Sequence, residues 1–374
     1  MVMSVNSEHS NLVRLGDYIE VYDVKNVDSQ DFPFCGMNKD KTFMPTVADT
    51  NELDNSKYKI VEKDVFVFSG MQTGRDVCIR LALYDKDNPI LVSPAYTTFI
   101  IKDKSVILPE YLFIQFNRFQ MDRYGWFLSD GSIRSNLDWN VFCDIMIPLP
   151  EPDIQQELVD TYNGLKALAE QNEALIKPLT EACQAYIVDC KKKYPQVELG
   201  EYLDFYFEKN SDCQITLEQG INIDKVFINP HRPNSDLSSR IIVRKGQFAY
   251  CTQLNNENVA IAYREGDDCV VSPVYKAFEI KQEYKNQLLP EYLFLWLKRK
   301  EFGRFVYWRS VGSAYEFLQE ENIREYKIPI PSPEVQQAIV NIYNCAEEAK
   351  KIANEAREKM KTLCPALVQR AIHS

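Results

Sequence analysis

Ile147-Pro148-Leu149-Pro150, followed by Ile154-Gln155-Gln156 and Tyr162-Asn163, is a junction that the chain writes a second time as Ile328-Pro329-Ile330-Pro331, Val335-Gln336-Gln337 and Tyr343-Asn344. The offset is 181 residues throughout (148 to 329, 155 to 336, 162 to 343). Further out, Leu108-Pro109-Glu110-Tyr111-Leu112-Phe113 recurs as Leu289-Pro290-Glu291-Tyr292-Leu293-Phe294. Ser93-Pro94-Ala95-Tyr96 answers Ser272-Pro273-Val274-Tyr275, and Leu15-Gly16-Asp17-Tyr18 answers Leu199-Gly200-Glu201-Tyr202. Stacking repeats have periods of roughly 20 to 50 residues, so each copy is expected to be a complete domain with its own core. A duplicated domain suits a two-part target.

Each copy reads as a mixed α/β (α+β) domain followed by a long helix. Residues 64–68, 77–82 and 97–101 have the β-branched and aromatic content of strands, matched by 247–250, 259–262 and 277–280. Pro109 and Pro290 then open helices, as proline does at a first helical position. After each junction the apolar residues step by threes and fours. The first series is Leu158, Thr161, Leu165, Leu168, Asn172, Leu175, Leu179, Ala182, Tyr186; the second is Ile339, Ile342, Ala346, Ala349, Ala353, Ala356, Met360, Leu363, Leu367. That is heptad spacing, and leucines facing alanines predict two helices packed as an antiparallel coiled coil, each about 60 Å long at about 1.5 Å per residue. Pro178 is expected to kink the first. The expected division is 1–147, first recognition domain; 148–195, first helical spacer; 196–328, second recognition domain; and 329–374, second helical spacer.

Composition narrows the chemistry. With 45% hydrophobic and 12% aromatic residues, 374 residues suffice for several globular cores. The start of the chain lacks the basic and apolar regions of a signal peptide and no apolar run is long enough to span a bilayer, so a cytoplasmic protein is expected. Ten scattered cysteines without a Cys-x-x-Cys pair read as reduced thiols. The net charge of −11 argues against broad, charge-driven nucleic-acid binding, yet Lys298, Arg299, Lys300, Arg304 and Arg309 gather five cations around the single acid Glu301. A catalytic site is hard to assemble. The three histidines have no metal-ligand spacing, and no phosphate-binding Gly-x-x-x-x-Gly-Lys-Ser/Thr loop occurs. Asn229-Pro230-His231 is similar only to the start of an amino-methyltransferase motif, without its second proline and aromatic residue.

The order of these motifs, twice over, resembles the specificity subunit of type I restriction-modification systems. The likeness is strongest at the two junctions and extends through Arg118, Asp122-Arg123-Tyr124 and Gly131-Ser132-Ile133-Arg134. It implies a non-catalytic subunit in which each domain recognises one half of a bipartite double-stranded DNA site. The paired helices would set the spacing and seat two methyltransferase subunits, with restriction and translocase subunits joining the full complex. No cofactor is implied for this chain; S-adenosylmethionine, ATP and magnesium would belong to the partners. Two other readings stay open: an adaptor whose domains bind proteins, and a methyltransferase or nuclease with an unrecognised site.

Candidate DNA contacts fall into two groups. Arg118 and Arg123 correspond to Arg299 and Arg304, and a role common to both copies suggests phosphate positioning; Lys298 and Arg309 are further candidates from the same basic stretch. Ser132 and Arg134 correspond to Ser313 and Tyr315, and that change of side chain points to unlike half-sites. The polar loops carrying Gln72 and Arg75, and Gln253, Asn255 and Asn256, hold side chains suited to base edges. Tyr124, Trp126, Tyr307 and Trp308 could stack on bases, but their helical spacing predicts core positions. Leu158, Leu165, Leu168, Leu175, Leu179, Ile339, Ile342, Ala346, Ala349, Met360 and Leu363 are expected to pack helix on helix.

Overall fold

The computed structural model describes residues 12–46, 53–71, 73–133, 135–254, 256–310 and 317–373, except for the side chains of 362–373. The duplicated junction is a strand that returns to the start of its own copy. Met146–Pro148 pairs antiparallel with Leu12–Arg14, and Lys327–Pro329 with Gln196–Glu198. Each pair is an isolated two-stranded ribbon, where a proline can sit at the margin without breaking a larger ladder. Leu15 and Leu199 follow at once, fully buried, in short 3-10 turns at Leu15–Asp17 and Leu199–Glu201.

Two four-stranded sheets share one topology. In the first copy the order is Ile19–Val21, Thr97–Ile101, Phe66–Ser69, Arg80–Leu83; in the second it is Leu203–Tyr206, Tyr275–Ile280, Phe248–Cys251, Ile261–Tyr263. Every pairing between these strands is antiparallel, which makes the copies α+β rather than parallel α/β. The same pair of cross-strand rings marks both cores: Phe66 stacks on Phe99 with centroids 4.8 Å apart, and Phe248 on Phe278 at 4.9 Å. All four rings are fully buried. Helices Pro109–Phe116 and Pro290–Lys298 cover the sheets, each with proline in its first turn, and helices Phe119–Leu128 and Lys300–Arg309 follow.

The long helices are Pro152–Lys193 and Pro333–His373, and the first continues through Pro178. Each is fastened at its start by a fully buried glutamine. Gln155 accepts from the Leu108 N–H at 2.9 Å and donates to the carbonyls of Val106 and Pro150, both at 2.8 Å. Gln336 accepts from Leu289 N–H at 2.9 Å and donates to Gln287 and Pro331 at 2.6 and 2.7 Å. The second glutamine of each pair points outward and bonds along its own helix.

The chain divides into two compact units, Met1–Asn172 with Lys351–Ser374, and Glu173–Lys350, so each long helix contributes one part to each unit. The buried stripe of the first helix differs from the expected one. Leu168 and Leu175 are 43% and 50% exposed, while Ala169, Cys183, Ile187 and Cys190 are buried and Ile176 half-buried. A step of four from Leu165 reaches Ala169, so selecting leucines as markers displaces the stripe by one residue. Thr161 and Tyr186 face outward as well. Leu158 is buried, but in the core of the first copy beside Val159. Leu165, Leu179, Ile342 and Met360 are half-buried, and Ile339, Ala346, Ala349, Ala353 and Ala356 are buried. The Leu363 side chain lies outside the described residues. In the Glu173–Lys350 unit, Cys183 and Ile187 share a core with Ile339 and Val340, and the Cys183 thiol lies 3.9 Å from the Ile339 carbonyl. The cysteines described are free thiols, four of them buried and two, Cys213 and Cys345, exposed.

Candidate nucleic-acid interface

In the first unit two loops that are distant in sequence are sewn into one surface. The Leu137 N–H donates to the Gly70 carbonyl at 2.8 Å, and the loops approach so closely there that a Cβ on Gly70 would lie 2.1 Å from the Leu137 carbonyl oxygen. Thr73 is fully buried between them: its N–H and hydroxyl both donate to Ser135 carbonyl, and its Oγ1 is 2.5 Å from the Ser129 hydroxyl. Asp130 organises the tip, accepting from the Ser132 hydroxyl at 2.6 Å and from the N–H groups of Asn136 and Ser132 at 2.8 and 3.2 Å. Those bonds, the Ser132 hydroxyl foremost, hold the Asp130 carboxyl below the usual range. Helix Phe119–Leu128 is pressed on the same edge through Gly125, where a Cβ would meet Ile79 at 2.2 Å, and through Asp122, which accepts from the Ile79 N–H at 2.9 Å.

The second unit is sewn in the same place. Leu318 N–H donates to Thr252 carbonyl at 2.8 Å, Gln253 pairs with Phe317 in an isolated antiparallel bridge, and Gly303 faces the Glu257 carbonyl. Thus the loop after the third sheet strand and the segment after the helix pair form one continuous surface in each copy. Loops fixed in this way on a sheet and helix scaffold hold their side chains at fixed positions, as a reader of base edges requires.

The predicted contacts separate sharply on this surface. Arg123 and Arg304, at equivalent positions, are exposed and have no carboxylate partner among the described residues; the Arg123 guanidinium lies 5.9 Å from the Phe119 ring centre. Arg118 and Arg299 instead occupy the turn between the two helices and are largely withdrawn from solvent. Arg118 donates to Gln115 at 3.1 Å, and burial pulls its pKa down; Arg299, 13% exposed, pairs with Glu301 and lies over Trp296 at 5.5 Å. The shared position is thus half-buried and bonded within its own copy. Lys298 also turns inward, bonding the Tyr343 hydroxyl and lying 5.1 Å from the Phe294 ring centre. Arg309 pairs with Glu325, and Arg75 reaches Asp76 at 3.0 Å while remaining exposed. Ser132 and Gln253 are exposed, each already bonded as described above. Gln72, Arg134, Asn255, Ser313 and Tyr315 lie outside the described residues.

The aromatic residues overturn a core expectation. Tyr124, Trp126, Tyr307 and Trp308 are exposed, with Trp308 at 73%, and Phe119 and Phe127 join them, Phe127 at 79%. Gly125 seats the first helix on the strand edge, which turns the rings beside it outward. Tyr124 and Phe127 stack at 6.3 Å. Phe119 and Phe127 lie four residues either side of Arg123, a spacing that puts all three on one helix face. Exposed rings beside an unpaired arginine suit stacking combined with phosphate contact.

A family model described as "Type I restriction modification DNA specificity domain" matches residues 215–357. Over 79 residues the chain is 34% identical to the type I restriction enzyme MjaIX specificity subunit of Methanocaldococcus jannaschii; that match takes in 20% of this chain and spans 18% of that protein's length. The fold is similar to the crystal structure of a type I restriction-modification system S subunit from M. genitalium, with a TM-score of 0.64 and 12% identity, covering 99% of this chain and 98% of that one. The segment 215–357 is therefore similar to the DNA specificity domain of type I restriction-modification systems, and the chain over nearly its whole length shares the fold of a solved S subunit.

Proposed function

We propose that this chain is the non-catalytic targeting subunit of a type I restriction-modification complex, in which each α+β copy reads one half of a bipartite double-stranded DNA site. The observation that carries this reading is the pairing of two sewn loops with an exposed arginine and exposed aromatic rings in both copies. Arg123 and Arg304 position phosphates, the rings stack, and the loops supply base contacts that differ between copies because their sequences differ.

The long helices act as an antiparallel pair that sets the distance between half-sites and seats two methyltransferase subunits. Support comes from the division of the helices, in which the later part of the first and the early part of the second share a unit, and from the Cys183 to Ile339 contact there. Methyl transfer from S-adenosylmethionine and ATP-dependent cleavage with magnesium are assigned to the partner subunits, and the complex is placed in the cytoplasm. Among the described residues no helix is long and apolar enough to cross a membrane.

Selection from a random duplex pool by the chain with its methyltransferase partner tests the reading. An enriched two-part motif with a fixed gap is expected. A pool that stays random would transfer the exposed rings to a protein-binding role.

A further inference from the structure

In each unit a two-stranded hairpin delivers one lysine to the same place. Asn38 and Asn222 shape the turns: their N–H groups donate to the carbonyls of Thr42 and Val226, both at 3.1 Å, and their side-chain oxygens accept from the Thr42 and Val226 N–H groups, both at 3.0 Å. Lys41 and Lys225 follow at φ 60° and 61°. Both ammonium groups then reach the last turn of the helix opened by Pro109 or Pro290. Lys41 donates to the Phe116 carbonyl, and Lys225 to that of Leu297 at 2.7 Å.

Beyond that point the copies diverge. Lys41 has an internal counter-ion, Asp122 at 2.7 Å, the two side chains 5% and 15% exposed. The residue 181 positions after Asp122 is Gly303, where a Cβ would lie 2.1 Å from the Glu257 carbonyl oxygen, so no carboxylate fits. Lys225 consequently has no carboxylate partner among the described residues. It lines a cavity of about 310 Å³ with Asn222, Gln253, Asn258 and Lys300, and Glu257 is the one acid in its wall. A half-buried cation without a counter-ion is costly, and a ligand that brings the negative charge removes that cost.

We propose that this cavity of the second unit is a phosphate seat, in which Lys225 and Lys300 hold the anion that Asp122 replaces in the first unit. The lysine ammonium has donors left after its bond to Leu297, and the amides of Asn222 and Asn258 supply neutral donors around it. Burial, reinforced by Lys298, already pulls the Lys225 pKa down to about 8, and an anion in the cavity relieves that. The phosphate can come from a DNA backbone, which rests on the DNA-recognition reading above, or from the free ion.

The test uses the full chain in two arms. In the first, the thermal unfolding midpoint is followed against inorganic phosphate at constant ionic strength, with chloride as the balance. A saturable rise is expected, lost in Lys225→Met and in Lys300→Gln, the second of which alters an exposed side chain and leaves the fold intact. No rise beyond chloride, or an equal rise in both variants, overturns the seat. In the second arm, duplex affinity of the chain with its methyltransferase partner is measured against salt. A logarithmic slope reduced by about one in the variants assigns the seat to the DNA backbone, and an unchanged slope with a lost phosphate response assigns it to the free ion. Failure of every duplex to bind sinks the DNA reading, while the first arm still decides the seat.

Discussion

Tyr111 donates its phenolic hydroxyl to the carbonyl of Pro148 at 2.8 Å, and 181 residues later Tyr292 does the same to Pro329 at 3.0 Å. Both bonds are buried, and both tie the helix opened by a proline to the strand that ends each copy. Removing the hydroxyl strands a buried carbonyl. Tyr111→Phe and Tyr292→Phe are each expected to destabilise their unit by about 1–3 kcal/mol. Urea unfolding of the two single variants checks this, and losses below the measurement error would mean that water replaces the bond.

Gln155 and Gln336 each make three bonds from a fully buried side chain, so replacement by leucine should cost more than the tyrosine changes, about 3–5 kcal/mol where all partners remain dry. The neighbouring Gln156→Leu and Gln337→Leu should cost under about 0.5 kcal/mol, because those side chains face solvent. Equal effects at both members of a pair would contradict the assignment of the inward one.

These anchors explain why so much of the fold was legible. The repeated Leu-Pro-Glu-Tyr, Ile-Pro and Gln-Gln motifs are the residues whose side chains bond backbone at fixed places, so the repeat in sequence is the repeat in hydrogen bonds. What could not be read was set by geometry that hydrophobicity does not record. Ala169 is fully buried, and Leu168 beside it is exposed although it is larger and more apolar. Arg118 and Arg299 recur at the start of the second helix of each copy, and their half-buried setting there is not marked by any sequence signal. Lys41 and Lys225 do carry a sequence signal, since Asn-x-Asp-Lys occurs at both places and marks the matching hairpins.

The face of the first long helix is open to a direct comparison. Leu168→Asp is expected to change stability by less than about 1 kcal/mol, whereas Ala169→Asp places a charge in a buried position and should cost about 3 kcal/mol or more. Circular dichroism melts of the two variants decide between the stripes. A larger loss at Leu168 would restore the leucine register.

Arg123→Ala and Arg304→Ala should weaken binding on all duplexes alike, each lowering the salt slope by about one. Phe127→Ala and Trp308→Ala should leave the melting temperature unchanged, since both rings are exposed, and cost about 1–3 kcal/mol of DNA affinity if they stack on bases. By contrast, Arg118→Ala and Arg299→Ala should act on stability first. Fluorescence anisotropy at several salt concentrations, run beside thermal melts, separates the two classes. An arginine whose loss affects one half-site alone would be reassigned from phosphate to base.

Lys225 makes stability depend on pH in a direction that can be derived. Its pKa is about 8 in the folded chain and near 10.5 when exposed, because burial next to Lys298 disfavours the charged form. Between those values the unfolded chain carries the extra proton, so stability rises with pH across the window. Below about pH 8 both states are charged and the penalty is present in full. Relative to Lys225→Met, which has no such titration, the native chain should therefore gain stability from about pH 8 to 10.5, by up to about 3 kcal/mol. Guanidinium unfolding of both proteins at pH 7, 8.5 and 10 tests the difference between them, in which titrations common to both cancel. A difference that stays flat would show that the Lys225 ammonium is solvated, and would leave the second unit without the uncompensated charge that sets it apart from the first.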